Sequence, residues 1–310
     1  MFISNKRSTT IENNKGFSAI AADCFPCVIN QILSTARLAK LTDAQTERVI
    51  AITKTELKKS KTAPLLVQHI VRRATDAIIQ ELGASPDFDI YAKVKEESNA
   101  IALAYAEEFR NKIAISASPF ETALQIAAAG NIIDFGAKRH GSINLEQELQ
   151  SFEKTSFDRY DIEPFKKVLS NASTLLYICD NSGEIVFDML FIEELQQEYP
   201  HVQIVAALRD KPIINDATLK DAKAIGLNRL IRTISSGSVY PGTILSETTE
   251  EFQNLYNSTD VILSKGQGNF ETFLPIADKR LFFLLRIKCD YMASLSKVDK
   301  DNLVLLQIAE

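Results

Sequence analysis

Apolar residues in the first hundred positions recur at roughly helical spacing: Cys27, Ile29, Ile32, Leu33, Ala36 and Leu38 line one face, the signature of an amphipathic helix rather than of a strand. Thr42-Asp43 offers a side-chain oxygen to cap the next helix. Pro64-Leu-Leu-Val-Gln-His-Ile-Val reads as a helix opened by proline in its first turn, where the missing N–H removes no bond. Ile90 through Glu108 mixes apolar positions with Lys, Glu and Arg, and Pro119 to Ala129 predicts a further helix stopping at Gly130-Asn131. No strand is expected before about residue 150.

After Pro164 short β-rich runs alternate with helical segments. The predicted strands are Thr174-Leu-Leu-Tyr-Ile-Cys179, Val202-Gln-Ile-Val-Ala-Ala-Leu208, Arg229-Leu-Ile-Arg-Thr-Ile234, Val261-Ile-Leu-Ser264 and Leu281 to Ile287. Glu184 to Glu198 and Asp216 to Ile225 are long enough for crossover helices. Such alternation predicts a mostly parallel sheet covered on both faces. The expected organisation is a polar lead-in over 1–17, an α-helical region over 18–160 and a three-layer α/β/α domain over 161–310, an α/β fold with a helical N-terminal part.

Composition narrows the partners. The chain has 310 residues, a net charge of −5, and no clustered Lys and Arg, so a nucleic-acid backbone is excluded as the main partner. No window has the apolar length of a membrane span, and the N-terminus lacks the apolar core of a signal peptide. Four cysteines do not make a disulfide scaffold, so a cytoplasmic location is expected. The sequence leaves oligomeric state open.

Ligands of open parallel sheets collect beyond the carboxyl ends of strands. The first predicted strand ends in Asp180-Asn181-Ser182-Gly183-Glu184; two adjacent oxygen donors before a helix suit a hard divalent cation, and a helix N-terminus favours an anion. A simple helix cap explains either residue alone. The second strand is followed by Arg209-Asp210-Lys211-Pro212-Ile213-Ile214-Asn215-Asp216, in which Asp216 can close a metal site or merely cap. The fourth delivers Lys265-Gly266-Gln267-Gly268-Asn269, a point charge beside a glycine nest suited to phosphate or carboxylate. It is neither a Walker loop nor a dinucleotide fingerprint. Ser235 to Thr243 is expected to shape the pocket from the third strand.

These motifs carry a resemblance. Asp180 to Asp188, Pro212 to Thr218 and Ser264 to Thr272 resemble the "domain of unknown function 89" family, whose members are also called damage-control phosphatases. Asp23-Cys24-Phe-Pro-Cys27 with Gln31, Ala129 to Asp134, and Lys288-Cys289 are similar to its Cys-x-x-Cys subgroup. The resemblance implies a divalent metal (Mg²⁺, Mn²⁺, Co²⁺ or Ni²⁺) on Asp180, Asn181 and Asp216, and phosphatase activity on a small phosphorylated metabolite. Catalytic roles are expected for Asp180, Lys265 and Glu184. Phosphate contacts are expected from Asn131, Asp134, Ser182, Gly183, Lys265, Gly266, Gly268 and Asn269, with Glu184 or Asp188 orienting water. Two competing functions are an S-adenosylmethionine-dependent carboxyl methyltransferase, as some relatives have been described, and a non-catalytic phosphometabolite-binding protein. Cys24 and Cys27 lack the partners of a structural zinc site and are expected to pack. His140 lies near the expected pocket mouth, and the absence of a Gly-x-Ser-x-Gly elbow argues against a serine hydrolase.

Overall fold

The computed structural model describes residues 20–21, 23–60, 65–130 and 157–307. Among the described residues five helices precede the sheet: α1 (Cys24–Leu38), α2 (Asp43–Lys59), α3 (Val67–Glu81), α4 (Ala92–Ala114) and α5 (Pro119–Ala129). Thr42 caps α2 as expected, with Thr42 Oγ1 accepting from Gln45 N at 3.3 Å while Thr42 N donates to Gln45 Oε1 at 2.9 Å, a reciprocal capping box. Pro64 lies outside the described residues, and α3 starts at Val67. Gly130 follows α5 in ordinary right-handed conformation; its requirement is space, since a Cβ there would stand 2.9 Å from the Phe187 ring.

The α/β part continues with β1 (Phe157–Tyr160), α6 (Ile162–Leu169), β2 (Thr174–Ile178), α7 (Glu184–Glu198), β3 (Gln203–Leu208), α8 (Leu219–Ile225), α9 (Leu227–Leu230), β4 (Arg232–Ser235), α10 (Glu250–Ser258), β5 (Val261–Lys265), α11 (Gln267–Phe273), β6 (Leu281–Arg286), α12 (Asp290–Ser296) and β7 (Leu303–Gln307). The strands form one sheet in the order β1-β7-β6-β5-β2-β3-β4, parallel throughout except for β6 against β7. It differs from the predicted strands in two places. The run expected from Arg229 is a short helix first, because Gly226 at φ 88° turns the chain and Leu227 is buried; β4 therefore starts at Arg232. The edge strand β1 and its neighbour β7 are additions to the predicted set.

Alternation along the strands divides the core into two layers. Leu175, Tyr177, Leu263 and Phe282 face α4, α5 and α7, whereas Leu176, Ile178, Ile262 and Phe283 face α10, α11 and α12. Helices thus cover both faces, which makes an α/β/α sandwich. A third cluster joins α1, α2 and α3 and takes in Ile213 from the loop after β3, anchoring that loop to the helical part. Among the described residues no helix is long and apolar enough to cross a membrane. From β2 the chain proceeds to β3 and β4 on one side, then returns to β5 on the other side of β2. Asp180 and Gly266, just past β2 and β5, thereby meet at the topological switch point, where the diverging loops open a crevice.

Candidate metal site at the sheet switch point

Backbone pairing fixes the two acidic loops. Ala217 N donates to Asp180 O at 2.8 Å, Ser182 N donates to Asn215 O at 2.9 Å, and Asn181 and Asp216 face one another in an antiparallel bridge. The three residues expected to hold a metal are therefore brought together. Asn181 donates through Nδ2 to Asp180 Oδ2 at 2.8 Å and to Glu184 Oε2 at 3.4 Å; its Oδ1 is the atom left to ligate a cation. Asp180 and Asp216 are almost wholly buried, at 7% and 2% exposure, while Asn181 is half-buried.

Burial pushes the Asp180 carboxyl well above its usual range, and the negative charges of Asp216 and Glu184 add to this; Arg209 and Lys288 oppose it without overcoming it. Asp216 is likewise raised by burial, against the pull of Arg209. Acids forced together in this way lack positive charge. An oxygen-only set of two carboxylates and one amide suits a hard divalent cation, so the residues present fit the metal that the sequence suggests. Among the described residues no three His, Cys, Asp or Glu side chains form a metal-holding group; the third donor beside the two carboxylates is the amide of Asn181.

Gly266 makes the close approach possible. Its φ of 80° and ψ of 158° lie in a region open essentially to glycine alone, and a Cβ there would stand 2.0 Å from Asp180 Oδ2. Gly266→Ala is expected to destabilise the protein by about 1–3 kcal/mol from backbone strain and to displace Asp180. Urea unfolding checks this, and a variant as stable as the wild type would contradict it.

Lys265, expected to hold an anion, is placed otherwise. It ends β5 on the face of Val261 and Leu263, fully buried. Its Nζ donates to Ala127 O at 2.9 Å, Glu184 Oε1 at 2.7 Å and Asp188 Oδ1 at 2.5 Å, so all three ammonium hydrogens are taken. Burial alone would lower its pKa, but Asp188 and Glu184 outweigh this and raise it. Asp188 is pushed up to about 6 by burial despite Lys265, and accepts a second bond from Tyr177 OH at 2.7 Å.

The other expected phosphate contacts divide. Ser182 N is taken by Asn215 O, and Gly183 N donates to Asn99 Oδ1 of α4 at 2.6 Å; the Ser182 hydroxyl is buried without a partner. Asn269 turns its amide away from the crevice, donating to Cys179 O at 3.2 Å and Lys265 O at 2.7 Å and accepting from Thr243 Oγ1 at 2.9 Å. Gly268 lies in the first turn of α11, packed so closely that a Cβ would meet Pro241 O at 2.4 Å. Asn131, Asp134 and His140 lie outside the described residues. Cys24 is half-buried, and Cys27, exposed as a residue, has its thiol partly sheltered. Burial raises both thiols, Cys24 to about 11, away from the thiolate that redox or metal chemistry requires.

Three residues given no site role from the sequence enter the site. Arg209 is 1% exposed and donates to Asp216; it immediately follows β3 as Asp180 follows the run of β2, a positional cue that was open to use. Lys288, exposed just past β6, is the second cation whose charge acts on Asp180. Asn99 is a buried polar residue within α4, and no sequence signal marks it.

A mostly parallel α/β/α sheet with an acidic, oxygen-rich centre at its switch point defines a doubly wound α/β protein. The chain belongs to the damage-control phosphatase ARMT1-like domain family, whose model matches residues 20–304. It is 34% identical over 303 residues to an uncharacterized protein of Methanocaldococcus jannaschii, covering 93% of this chain and 95% of that one. It is 36% identical over 219 residues to a damage-control phosphatase of Pyrococcus horikoshii, covering 71% and 75%. The crystal structure of a DUF89 family protein from Pyrococcus horikoshii superimposes with a TM-score of 0.84 at 31% identity, covering 94% of this chain and 99% of that one.

Proposed function

We propose that the protein is a divalent-metal-dependent phosphatase acting on small phosphorylated metabolites, with Mg²⁺, Mn²⁺, Co²⁺ or Ni²⁺ as the cofactor. The observation that carries this is the convergence of Asp180, Asn181 and Asp216 with more negative charge than Arg209 offsets. Membership of a family that includes proteins named damage-control phosphatases supports it.

Asp180, Asp216 and Asn181 Oδ1 would hold the cation. When bound, it polarises a phosphoryl oxygen and lowers the pKa of a water. The chain's own residues do the rest. Glu184, with Oε1 fixed by Lys265 and Oε2 beside the Asn181 amide, orients the attacking water and accepts its hydrogen. Lys265 holds Glu184 and Asp188 in place. Lys288, exposed and near enough for its charge to act on Asp180, supplies the point charge for the incoming phosphate. Attack by water is favoured over an aspartyl-phosphate, since the position two residues after Asp180 is Ser182 rather than a second Asp. A methyltransferase would place a glycine-rich cofactor loop after β2, where Asp180-Asn181-Ser182-Gly183-Glu184 stands.

The test is phosphate release from a panel of sugar phosphates and p-nitrophenyl phosphate, using metal-stripped protein with each of the four cations restored. Release that depends on the cation is expected. Equal release before and after stripping, or none with any cation, would overturn the reading.

A further inference from the structure

We infer that Arg209 is the positioning residue of the cation site, holding Asp216 in place as a ligand and tying it to the 236–243 loop through Thr243. The inference rests on the metal-dependent reading above. Arg209 leaves β3 with its N–H donated to Ala217 O at 3.0 Å, so its backbone is fixed to the residue next to Asp216. Its Nε donates to Asp216 Oδ2 at 2.7 Å and its Nη1 to Thr243 Oγ1 at 2.7 Å. The Thr243 hydroxyl passes its own hydrogen to Asn269 Oδ1 at 2.9 Å, and Asn269 Nδ2 donates to Cys179 O at 3.2 Å. One guanidinium thus joins the loops after β3 and β4 and, through Thr243 and Asn269 of α11, reaches Cys179, the residue before Asp180.

The third nitrogen points to the same role. Arg209 Nη2 is buried without a hydrogen-bond partner and lies 3.7 Å from Asp180 Oδ1. A planar guanidinium anchored at Nε and Nη1 cannot turn Nη2 elsewhere, so its charge stays against both acids. It has no solvent-facing surface through which to meet a substrate, so Arg209 acts through Asp216. With Oδ2 taken, Asp216 Oδ1 is the oxygen left for the cation. Two acids facing one positive charge also remain net negative, so the site keeps its attraction for a cation while apo repulsion is reduced. Lysine cannot reproduce this, because a single ammonium lacks the fork that bonds Asp216 and Thr243 in one plane.

The test is calorimetric titration of Mn²⁺ into the full chain, comparing wild type, Arg209→Lys and Thr243→Val, with circular dichroism and melting of each metal-free protein. Loss of a group that orients a ligand typically weakens metal binding about 10- to 100-fold, and Arg209→Lys is expected to show a Kd at least about tenfold higher. Thr243→Val keeps the Asp216 bond but frees the far end of the guanidinium, and is expected to raise Kd at least about threefold, a smaller share of the same effect. A merely structural Arg209 would lower the melting temperature and leave the Mn²⁺ Kd of the folded protein unchanged. Wild-type binding with an unchanged Kd in Arg209→Lys overturns the inference and leaves the metal site standing. Should Arg209→Lys not fold, an unchanged Kd in Thr243→Val overturns it equally. Should the wild type bind none of Mn²⁺, Mg²⁺, Co²⁺ and Ni²⁺ in the same titration, the metal reading falls, and the inference with it.

Discussion

Asp180→Ala is expected to abolish metal-dependent phosphate release, to below about a thousandth of the wild-type rate, while the protein stays folded. Removing one of three donors releases the cation, whose stabilisation of transition-state charge amounts to several kcal/mol, or about a thousandfold in rate. The fold should survive because Asp180 contributes little to it without the metal. Its carboxylate is buried against Asp216 and Glu184, and those like charges raise its energy. Relieving them should leave the metal-free variant at least as stable as the metal-free wild type. Melting curves with and without Mn²⁺ separate the two effects: the wild type should gain stability on adding the ion and the variant should not. An active Asp180→Ala protein, or one unfolded without metal, would contradict this assignment.

Lys265→Met should have the largest effect on stability. The Lys265 ammonium is fully buried between Glu184 and Asp188, and a methionine of similar length would leave both carboxylates buried without the positive charge that pairs them. Breaking a buried ion pair from one side costs about 3–5 kcal/mol, and urea unfolding should record a loss in that range. Adding Asp188→Asn should recover part of it by removing one of the orphaned charges. A loss under about 1 kcal/mol would mean that water or another cation already serves these acids. The same variant should lose phosphatase activity, since Glu184 would no longer be held beside Asn181.

Much of this architecture is legible in the sequence because strands buried on both faces leave continuous apolar runs. Thr174 to Ile178 and Val261 to Lys265 stand out in that way. The strand Phe157–Tyr160 does not, being four residues long and alternating half-buried with exposed positions at the sheet edge. Leu303–Gln307 carries a clear β-rich run, yet it follows the predicted strand Leu281 to Ile287 with no crossover helix long enough to suggest another parallel strand; it pairs antiparallel instead.

Position suggests Asp180 and Asn181, polar residues just past a strand, and Asp216, just before a helix; the family resemblance is what joins the three into one ligand set. Lys265 shows where that cue fails. Charge and location suggest an anion ligand, but strand periodicity places Lys265 with Val261 and Leu263, facing the helices. Glu184 and Asp188, four residues apart on α7, present two carboxylates on one helix face, which is what draws the lysine inward. Arg209 and Asn99 depend on contacts across 7 and 84 residues of sequence respectively, and the second follows no local pattern.

Whether Asp180, Asn181 and Asp216 together hold a divalent cation is decided by an anomalous-difference map from crystals grown with Mn²⁺. The expected result is a single strong peak between β2 and β3 at their carboxyl ends, within about 2.0–2.6 Å of carboxylate oxygens of Asp180 and Asp216 and of Asn181 Oδ1. No peak there, or one ligated by other residues, would contradict the assignment of the cation to these three side chains.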